Sequence, residues 1–155
     1  MGKFLKTIII IFFISACGFK VVKQSELKGY FISEVNAEGD NRINYIIKNN
    51  LLSSEKNQNK KSINLNLKTS KIKNIKEKNI KNEVTKYQII INVIVIINQE
   101  NIVKGNNIEI SKTGEYSVSD LYSQTVISEK KLVEVLANDL SEKIIQLLSE
   151  RLNDF

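Results

Sequence analysis

The chain has 155 residues, in which 23 lysines and arginines stand against 17 aspartates and glutamates, a formal charge of +6 at neutral pH. It has no histidine, proline or tryptophan, and its single cysteine is Cys17. Histidine is the commonest general base and metal ligand, and one cysteine cannot form an internal disulfide. The composition therefore argues against histidine-based catalysis, a zinc centre and a disulfide framework.

The first residues have the pattern of a bacterial lipoprotein signal peptide. Two lysines precede the apolar run Thr7–Ile14, which is shorter than the about 20 residues of a transmembrane helix but typical of a signal-peptide core. The small residues Ser15 and Ala16 then stand directly before Cys17, as in a lipobox, where the thiol receives a diacylglycerol and the chain is cut before the cysteine. We therefore expect a signal peptide over residues 1–16 and lipid attachment at Cys17. The alternatives are an ordinary signal peptide that contains a cysteine, or a buried helix.

Removal of residues 1–16 leaves 139 residues with 21 basic and 17 acidic side chains, a formal charge of +4. This length suffices for one core, so we expect a lipidated tether over 17–29 and a single domain over 30–155.

Each buried methylene contributes about 0.8 kcal/mol, and several acyl chains on Cys17 would therefore anchor the chain durably. Gly18 stands where an aspartate commonly retains lipoproteins in the inner membrane. This predicts the periplasmic face of the outer membrane.

The first predicted elements are a strand and a helix. Residues 30–35 are rich in strand-forming side chains, and residues 36–39 have the composition of a turn. Asp40 or Asn41 can cap a helix that follows. The apolar residues on one face of this helix are Ile43, Ile46, Ile47 and Leu51. The polar segment 52–61 is predicted to be a loop.

The middle of the chain has the period of a β-strand. Ile63, Leu65 and Leu67 alternate with polar residues, which predicts a half-buried strand. The lysine- and asparagine-rich stretch 68–86 could extend that strand, form a charged loop or be a mobile excursion.

The strongest strand signal is Tyr87–Asn98, which is apolar on its odd-numbered face and partly apolar on its even-numbered face. This is typical of a central strand, or of one whose outer face meets a partner. A tight connection at 99–101 leads to a returning strand that comprises Ile102, Val103, Ile108 and Ile110. With a bulge or bend at 105–107, this strand would complete a hairpin.

The C-terminal residues predict a long helix, capped at Ser128 with Glu129 in its first turn and continuing to Leu152. Its apolar stripe comprises Leu132, Val133, Leu136, Leu140, Ile144, Leu147 and Leu148. The predicted fold class is α+β, a two-layer sandwich of an about four-stranded sheet with two helices on one face, in the order β-α-β-β-β-α.

This order behind a lipobox resembles LptE, the lipopolysaccharide-assembly lipoprotein of the outer membrane, over essentially the whole mature chain. The mature start matches in Cys17-Gly18-Phe19, and the first helix matches in Arg42 with Ile47-Lys48-Asn49-Asn50-Leu51. Tyr87–Asn98 and the strand after it resemble the long hairpin of the family. The polar link and final helix are matched by Tyr116 or Tyr122, Ser128-Glu129-Lys130-Lys131-Leu132 and Leu136–Ile144. The chain departs from the family at Leu132-Val133-Glu134, where a small residue is common, and at Lys20-Val21, where a proline is usual. The stretch 68–86 is not a family signature.

The resemblance implies binding without catalysis and without a cofactor. It implies that the domain plugs the lumen of the large β-barrel LptD, supports its assembly and helps to deliver lipopolysaccharide to the outer leaflet. Another outer-membrane lipoprotein, an accessory of an envelope assembly or transport machine, is the alternative. A hydrolase would need a serine with a lysine or paired carboxylates, and Ser128 with Lys131 has such a spacing but the context of a helix cap.

The phosphates of lipid A would be bound by lysine or arginine side chains. The candidate contacts are Lys68, Lys71, Lys73 and Lys76, in a cluster that Lys78 and Lys81 continue, together with Arg42. A solvated strand edge, enriched in lysine by the codon bias of an AT-rich genome, is the alternative for the lysines. A salt bridge at the start of a helix is the alternative for Arg42. The even-numbered face of 87–98 could contact the barrel wall or be covered by a helix.

Replacing Cys17 by alanine should abolish lipid attachment and leave a soluble or inner-membrane-retained precursor. Fractionation of cells that express this variant, with the unchanged chain as reference, measures the outcome. Normal recovery of Cys17→Ala in the outer-membrane fraction would refute the lipobox interpretation.

Overall fold

The computed structural model describes residue 27 and residues 29–53, 60–98 and 107–153. The signal peptide, Cys17 and most of the predicted tether lie outside these ranges. So do most of the predicted loop 52–61, the tight connection at 99–101 and the first two residues of the bulge predicted near 105–107. Within them the elements are β1 Tyr30–Gly39, α1 Asn41–Leu52, β2 Lys61–Lys78, β3 Val84–Asn98, β4 Asn107–Ser117 and α2 Tyr122–Asn153. The predicted α+β class and the order β-α-β-β-β-α are confirmed.

The sheet follows the chain order β1-β2-β3-β4. β1 and β2 are parallel, so α1 serves as the crossover that parallel neighbours require. β3 is antiparallel to both β2 and β4, as in two successive hairpins. The longest ladder joins β2 to β3 and runs from Asn64 opposite Asn98 to Lys78 opposite Val84.

One hydrophobic core lies between the sheet and the two helices. The odd-numbered side chains of β3 from Ile89 to Ile97 are buried, as the alternation predicts. The helices contribute the buried side chains Ile43, Ile47, Leu51, Val133, Leu136, Leu140, Ile144 and Leu148. The predicted apolar stripes of both helices are therefore confirmed. Within the described ranges neither helix contains an apolar run long enough to cross a bilayer.

The turn predicted at residues 36–39 is wrong, because β1 continues to Gly39. Asn36 pairs in parallel with Asn66, and Gly39 pairs with Thr69. The hydrogen-bonded ladder thus outweighs the weak strand propensity of this stretch. Asp40 then caps α1 as predicted, accepting from the backbone N–H groups of Arg42 and Ile43 at 3.1 Å each.

The start predicted for the C-terminal helix is also wrong. α2 begins at Tyr122, so Ser128 lies inside the helix and does not cap it. The turn before α2 is fixed by Ser119, whose backbone N–H donates to the Thr125 hydroxyl at 2.9 Å. The Ser119 hydroxyl also accepts from the Leu121 N–H at 3.3 Å. These local bonds allow the helix to begin six residues before Ser128.

Of the three interpretations of residues 68–86, the strand extension is correct. β2 runs to Lys78, and a turn over residues 79–83 leads directly into β3. The Asn79 carboxamide oxygen accepts from the N–H groups of Lys81 and Glu83 at 2.9 and 3.0 Å. Asn82 takes the left-handed conformation, φ 62°, that asparagine tolerates in turns.

The even-numbered face of β3 has no helix over it in the described part of the chain, because both helices pack on the odd-numbered face. Of the two alternatives for this face, cover by a helix is therefore not provided by either described helix. Ile90, Ile94 and Ile96 are half-buried on this face. Their cross-strand neighbours on β2 include Lys68, opposite Ile94, and the exposed Ile72, opposite Ile90. We call this surface the open face.

Replacing Gly39 by alanine should lower the free energy of unfolding by about 3 kcal/mol. Gly39 has φ +112°, and an added Cβ would collide with the main-chain carbonyl of Thr69. Gly29→Ala is the matched control: its φ is +80°, but nothing lies within 4 Å of an added Cβ, so about 1 kcal/mol is expected. Urea unfolding of both variants measures the difference. Equal losses would contradict a role for the contact with Thr69.

Candidate functional site on the long hairpin

The candidate site is the far part of the β2–β3 hairpin, residues 71–86, which we call the distal hairpin. It contains six lysines and two glutamates, a formal charge of +4. Three isoleucines project among these charges, with Ile72, Ile75 and Ile80 exposed to 45%, 55% and 103%. The distal hairpin thus combines positive charge with exposed apolar surface.

The predicted lysine cluster is divided between the two faces of the sheet. Lys71 and Lys73 lie on the odd-numbered face with the helices, and Lys68 lies on the open face opposite Ile94. Lys76 stands at the bulge between the pairs of Ile75 and Glu77. The lysines that the sequence groups together therefore do not form one patch.

Lys73 is the centre of an ionic and aromatic cluster. Its ammonium donates to Glu129 Oε2 at 2.7 Å. The same nitrogen lies 4.2 Å from the ring centroid of Tyr87 and 5.5 Å from that of Tyr116. The two tyrosine rings stack at 5.6 Å, and the Tyr116 hydroxyl donates to Glu129 Oε2 at 2.8 Å. Side chains from β2, β3, β4 and α2 therefore meet around the Lys73 ammonium.

The electrostatics of this cluster keep it ionised. Burial disfavours the charge of Lys73, but its interactions with Glu129 and Tyr116 outweigh burial and raise the pKa of Lys73. Burial also disfavours the charge of Glu129, and Lys73 and Tyr116 nevertheless hold the pKa of Glu129 below its usual value. Burial raises the pKa of Tyr116, which keeps its hydroxyl protonated as a donor.

Lys71 extends the cluster to the first helix. Its ammonium lies 3.7 Å from Asp40 Oδ2 and 4.0 Å from Glu129 Oε1. Because Asp40 caps α1, the distal hairpin is linked through Lys71 to the start of α1 and to α2. These pairs are partly exposed, with the three side chains between 24% and 33% accessible, so solvent screens them.

The remaining lysines of the distal hairpin differ in their partners. Lys76 pairs with Glu115 at 3.2 Å, and Lys86 pairs with Glu77 at 2.7 Å. Lys78 donates to the side-chain oxygen of Asn82 at 2.9 Å. Among the described residues, no carboxylate lies within ion-pair distance of Lys68, Lys78 or Lys81. These three are therefore the cations most available to an external anion.

Arg42 forms no salt bridge at the start of α1 within the described ranges. Its guanidinium donates to the main-chain carbonyl of Lys130 at 3.4 Å, which links the first turn of α1 to α2. The salt bridge predicted for Arg42 as the alternative is therefore wrong, because its partner is a main-chain carbonyl and not a carboxylate.

Two features of this region are not accessible to sequence reasoning. Tyr116, which the sequence indicates only as part of the polar link before the final helix, is buried in this cluster. Seven of the nine exposed large apolar residues in the described part of the chain lie within 72–80 and 118–127. Only the register of two hairpins and the course of α2 bring these segments to the same part of the molecule.

Solved structures that share this fold include the following two. One is a lipoprotein B from Nitrosomonas europaea, with a TM-score of 0.58 and 17% identity over 85% of this chain and 90% of that chain. The other is a chain named as a lipoprotein of Caulobacter crescentus CB15, with a TM-score of 0.54 and 14% identity over 77% of this chain and 90% of that chain. These likenesses establish the fold. No family model matches the sequence, and no curated protein matches it either.

Replacing Glu129 by glutamine should lower the free energy of unfolding at pH 7 by about 1 kcal/mol, because a partly exposed ion pair is screened. The pKa of Glu129 is lowered in the folded protein. Its stabilisation is therefore present above the ordinary value of 4.5 and is lost as the pH falls through the folded value. Urea unfolding from pH 7 down to about pH 3 should show the gap between wild type and Glu129→Gln closing at the acid end.

The control is Asp139→Asn, which removes the exposed pair between Asp139 and Lys112 at 3.7 Å. This variant should differ little from the wild type at any pH. A Glu129→Gln deficit that persists undiminished in acid would contradict the electrostatic account.

Proposed function

We propose that this protein is an outer-membrane lipoprotein of the LptE type, which acts as plug and assembly partner of an LptD-like β-barrel in lipopolysaccharide transport. The observation that carries the proposal is the β-α-β-β-β-α fold with a long hairpin, behind a lipobox at Cys17. The likeness of this fold to two chains named as lipoproteins supports it. The proposed activity is binding and assembly, with no catalytic step.

The length of the hairpin supports a position inside a barrel. β2 has 18 residues, which at about 3.3 Å per residue gives a length of about 60 Å. A bilayer with its head groups is about 40–45 Å thick. Tyr30 pairs with Lys61, so the amino-terminal side of the domain lies at the end of β2 opposite to the turn at 79–83. A domain anchored through Cys17 at the inner leaflet could thus extend its distal hairpin to the outer leaflet.

The open face has the mixed character that a barrel lumen accepts. The half-buried isoleucines of β3 alternate with Gln88 and Asn92, and Lys68 lies beside them. Barrel interiors are polar, so side chains of this kind can find hydrogen-bond partners there. We propose that the open face meets the barrel wall, while the opposite face is occupied by the two helices.

Lipopolysaccharide phosphates are the proposed ligands of the lysines. Lys68, with Lys78 and Lys81 near the turn, has no carboxylate partner in the described ranges and is ready to bind. Lys71, Lys73 and Lys76 are paired with carboxylates, and a phosphate would have to displace those partners. Arg42, bound to a main-chain carbonyl at the start of α1, is the remaining candidate.

A pull-down of the tagged full chain from membranes in mild detergent, with mass spectrometry of what stays bound, tests this proposal. We expect a large β-barrel protein in a stoichiometric amount. Recovery of the chain alone, or with a different envelope complex, would overturn the proposed function; the second result would favour an accessory of another assembly or transport machine.

A matched pair of variants tests the open face in the same experiment. Ile94→Lys places a charge on the open face without touching the core and should reduce recovery of the barrel. Tyr45→Lys changes a side chain on α1 that is 70% exposed and should leave recovery unchanged. Equal recovery with both variants would exclude the open face as the barrel contact.

A further inference from the structure

We infer that Lys71, Lys73 and Tyr116 form an anion-binding site that the protein's own Glu129 occupies. We call these three side chains the anion cradle. The ligand class is a phosphate monoester, which could be free in solution or carried on a lipid head group. The inference rests on the proposed function only for the choice between these two sources.

The geometry of Glu129 is that of a bound anion. One oxygen, Oε2, accepts from the Lys73 ammonium at 2.7 Å and from the Tyr116 hydroxyl at 2.8 Å. The other oxygen, Oε1, lies 4.0 Å from the Lys71 ammonium. Two cations and a hydroxyl donor thus converge on one carboxylate, as charge-assisted donors converge on a phosphate.

Each donor also has a contact that does not involve Glu129. Lys71 and Lys73 are alternate residues of β2 and therefore point to the same face of the sheet. The Lys73 ammonium rests against the Tyr87 ring, which stacks on the Tyr116 ring. Lys71 has a second partner in Asp40, which is itself fixed as the cap of α1. Removal of the Glu129 charge should therefore leave an assembled cradle.

The acceptor, in contrast, comes from a separate element. Glu129 lies in α2, and its side chain is 25% accessible, so a solvent anion can reach the same donors. An incoming phosphate must displace the carboxylate, which lowers its apparent affinity. Displacement would also release α2 from the distal hairpin at this point. By linkage, the factor by which a bound anion favours release of α2 equals the factor by which release of α2 strengthens anion binding.

Titration of the full chain with inorganic phosphate in neutral detergent tests the inference by calorimetry. Glu129→Gln keeps the size of the side chain and removes the competing charge. We expect it to bind phosphate at least about fivefold more tightly than the wild type, which is the factor that corresponds to one ion pair of about 1 kcal/mol. The gain should fall at high salt and disappear in the double variant Lys73→Met with Glu129→Gln.

Asp139→Asn is the matched control, because it frees Lys112, a lysine on the same face of the sheet that is not part of the anion cradle. An equal gain in this variant, or no gain in Glu129→Gln while circular dichroism shows it folded, would overturn the inference.

A second titration with micelles that contain phosphatidic acid distinguishes the two sources of the phosphate. Tighter binding than to inorganic phosphate assigns the site to lipid head groups, and equal binding assigns it to free phosphate. Neither titration contains a barrel, so failure of the proposed function would leave this result unaffected.

Discussion

The antiparallel ladder between β2 and β3 is the constraint on which the rest of the structure depends. It runs almost the whole length of both strands, and up to the bulge after Ile75 its alternation assigns each side chain to one of two faces. One face collects the isoleucines, leucines and valines that the helices cover. The other face carries asparagines, lysines and isoleucines that no described helix covers. A slip of one residue would exchange these two sets, so burial of the core fixes the register along the entire hairpin.

The same ladder explains why the two ends of the sheet differ so strongly. Near Ile63 the odd-numbered face is apolar and fully buried, whereas ten residues later Lys73 occupies the same face. The side chains that α2 presents to the sheet change correspondingly along its length. Its later turns bury leucine and isoleucine side chains, and its earlier part presents Glu129 to the lysines and Tyr116. The interface between sheet and helix therefore passes from hydrophobic packing to ionic and aromatic contacts.

Much of this fold could be predicted from the sequence, because the relevant signals are local. The alternation in Ile63–Leu67 and in Tyr87–Asn98, the cap at Asp40 and the stripe of α2 each depend on residues within one element. The errors have non-local causes. Residues 36–39 form a strand because a parallel partner lies about 30 residues further along the chain, and no local pattern reports that pairing. Ser128 has the chemistry of a cap, but the turn at Ser119 starts the helix earlier.

The candidate site was less predictable than the fold for the same reason. Alternation along β2 divides Lys68, Lys71 and Lys73 between the two faces, but the lysines beyond Ile75 cannot be placed without knowledge of the bulge there. Sequence reasoning also cannot join Tyr116 to Lys73, since that contact requires the registers of both hairpins together. The ion pairs decide which lysines are available to an external anion. The acidic partners in these pairs come from the end of β1, from β4 and from α2. Proximity along the chain is thus a poor guide to proximity in the site.

The charge of the distal hairpin gives the molecule a polarity along its long axis. Residues 71–86 carry +4, whereas the other described residues hold ten basic side chains against eleven acidic ones. This separation gives the described part of the domain an electric dipole whose positive end is the distal hairpin. In the field of an anionic surface such a dipole rotates before contact, so the distal hairpin would arrive first. The hairpin therefore sets the direction of approach as well as the place of contact, over a range that shortens as salt is added.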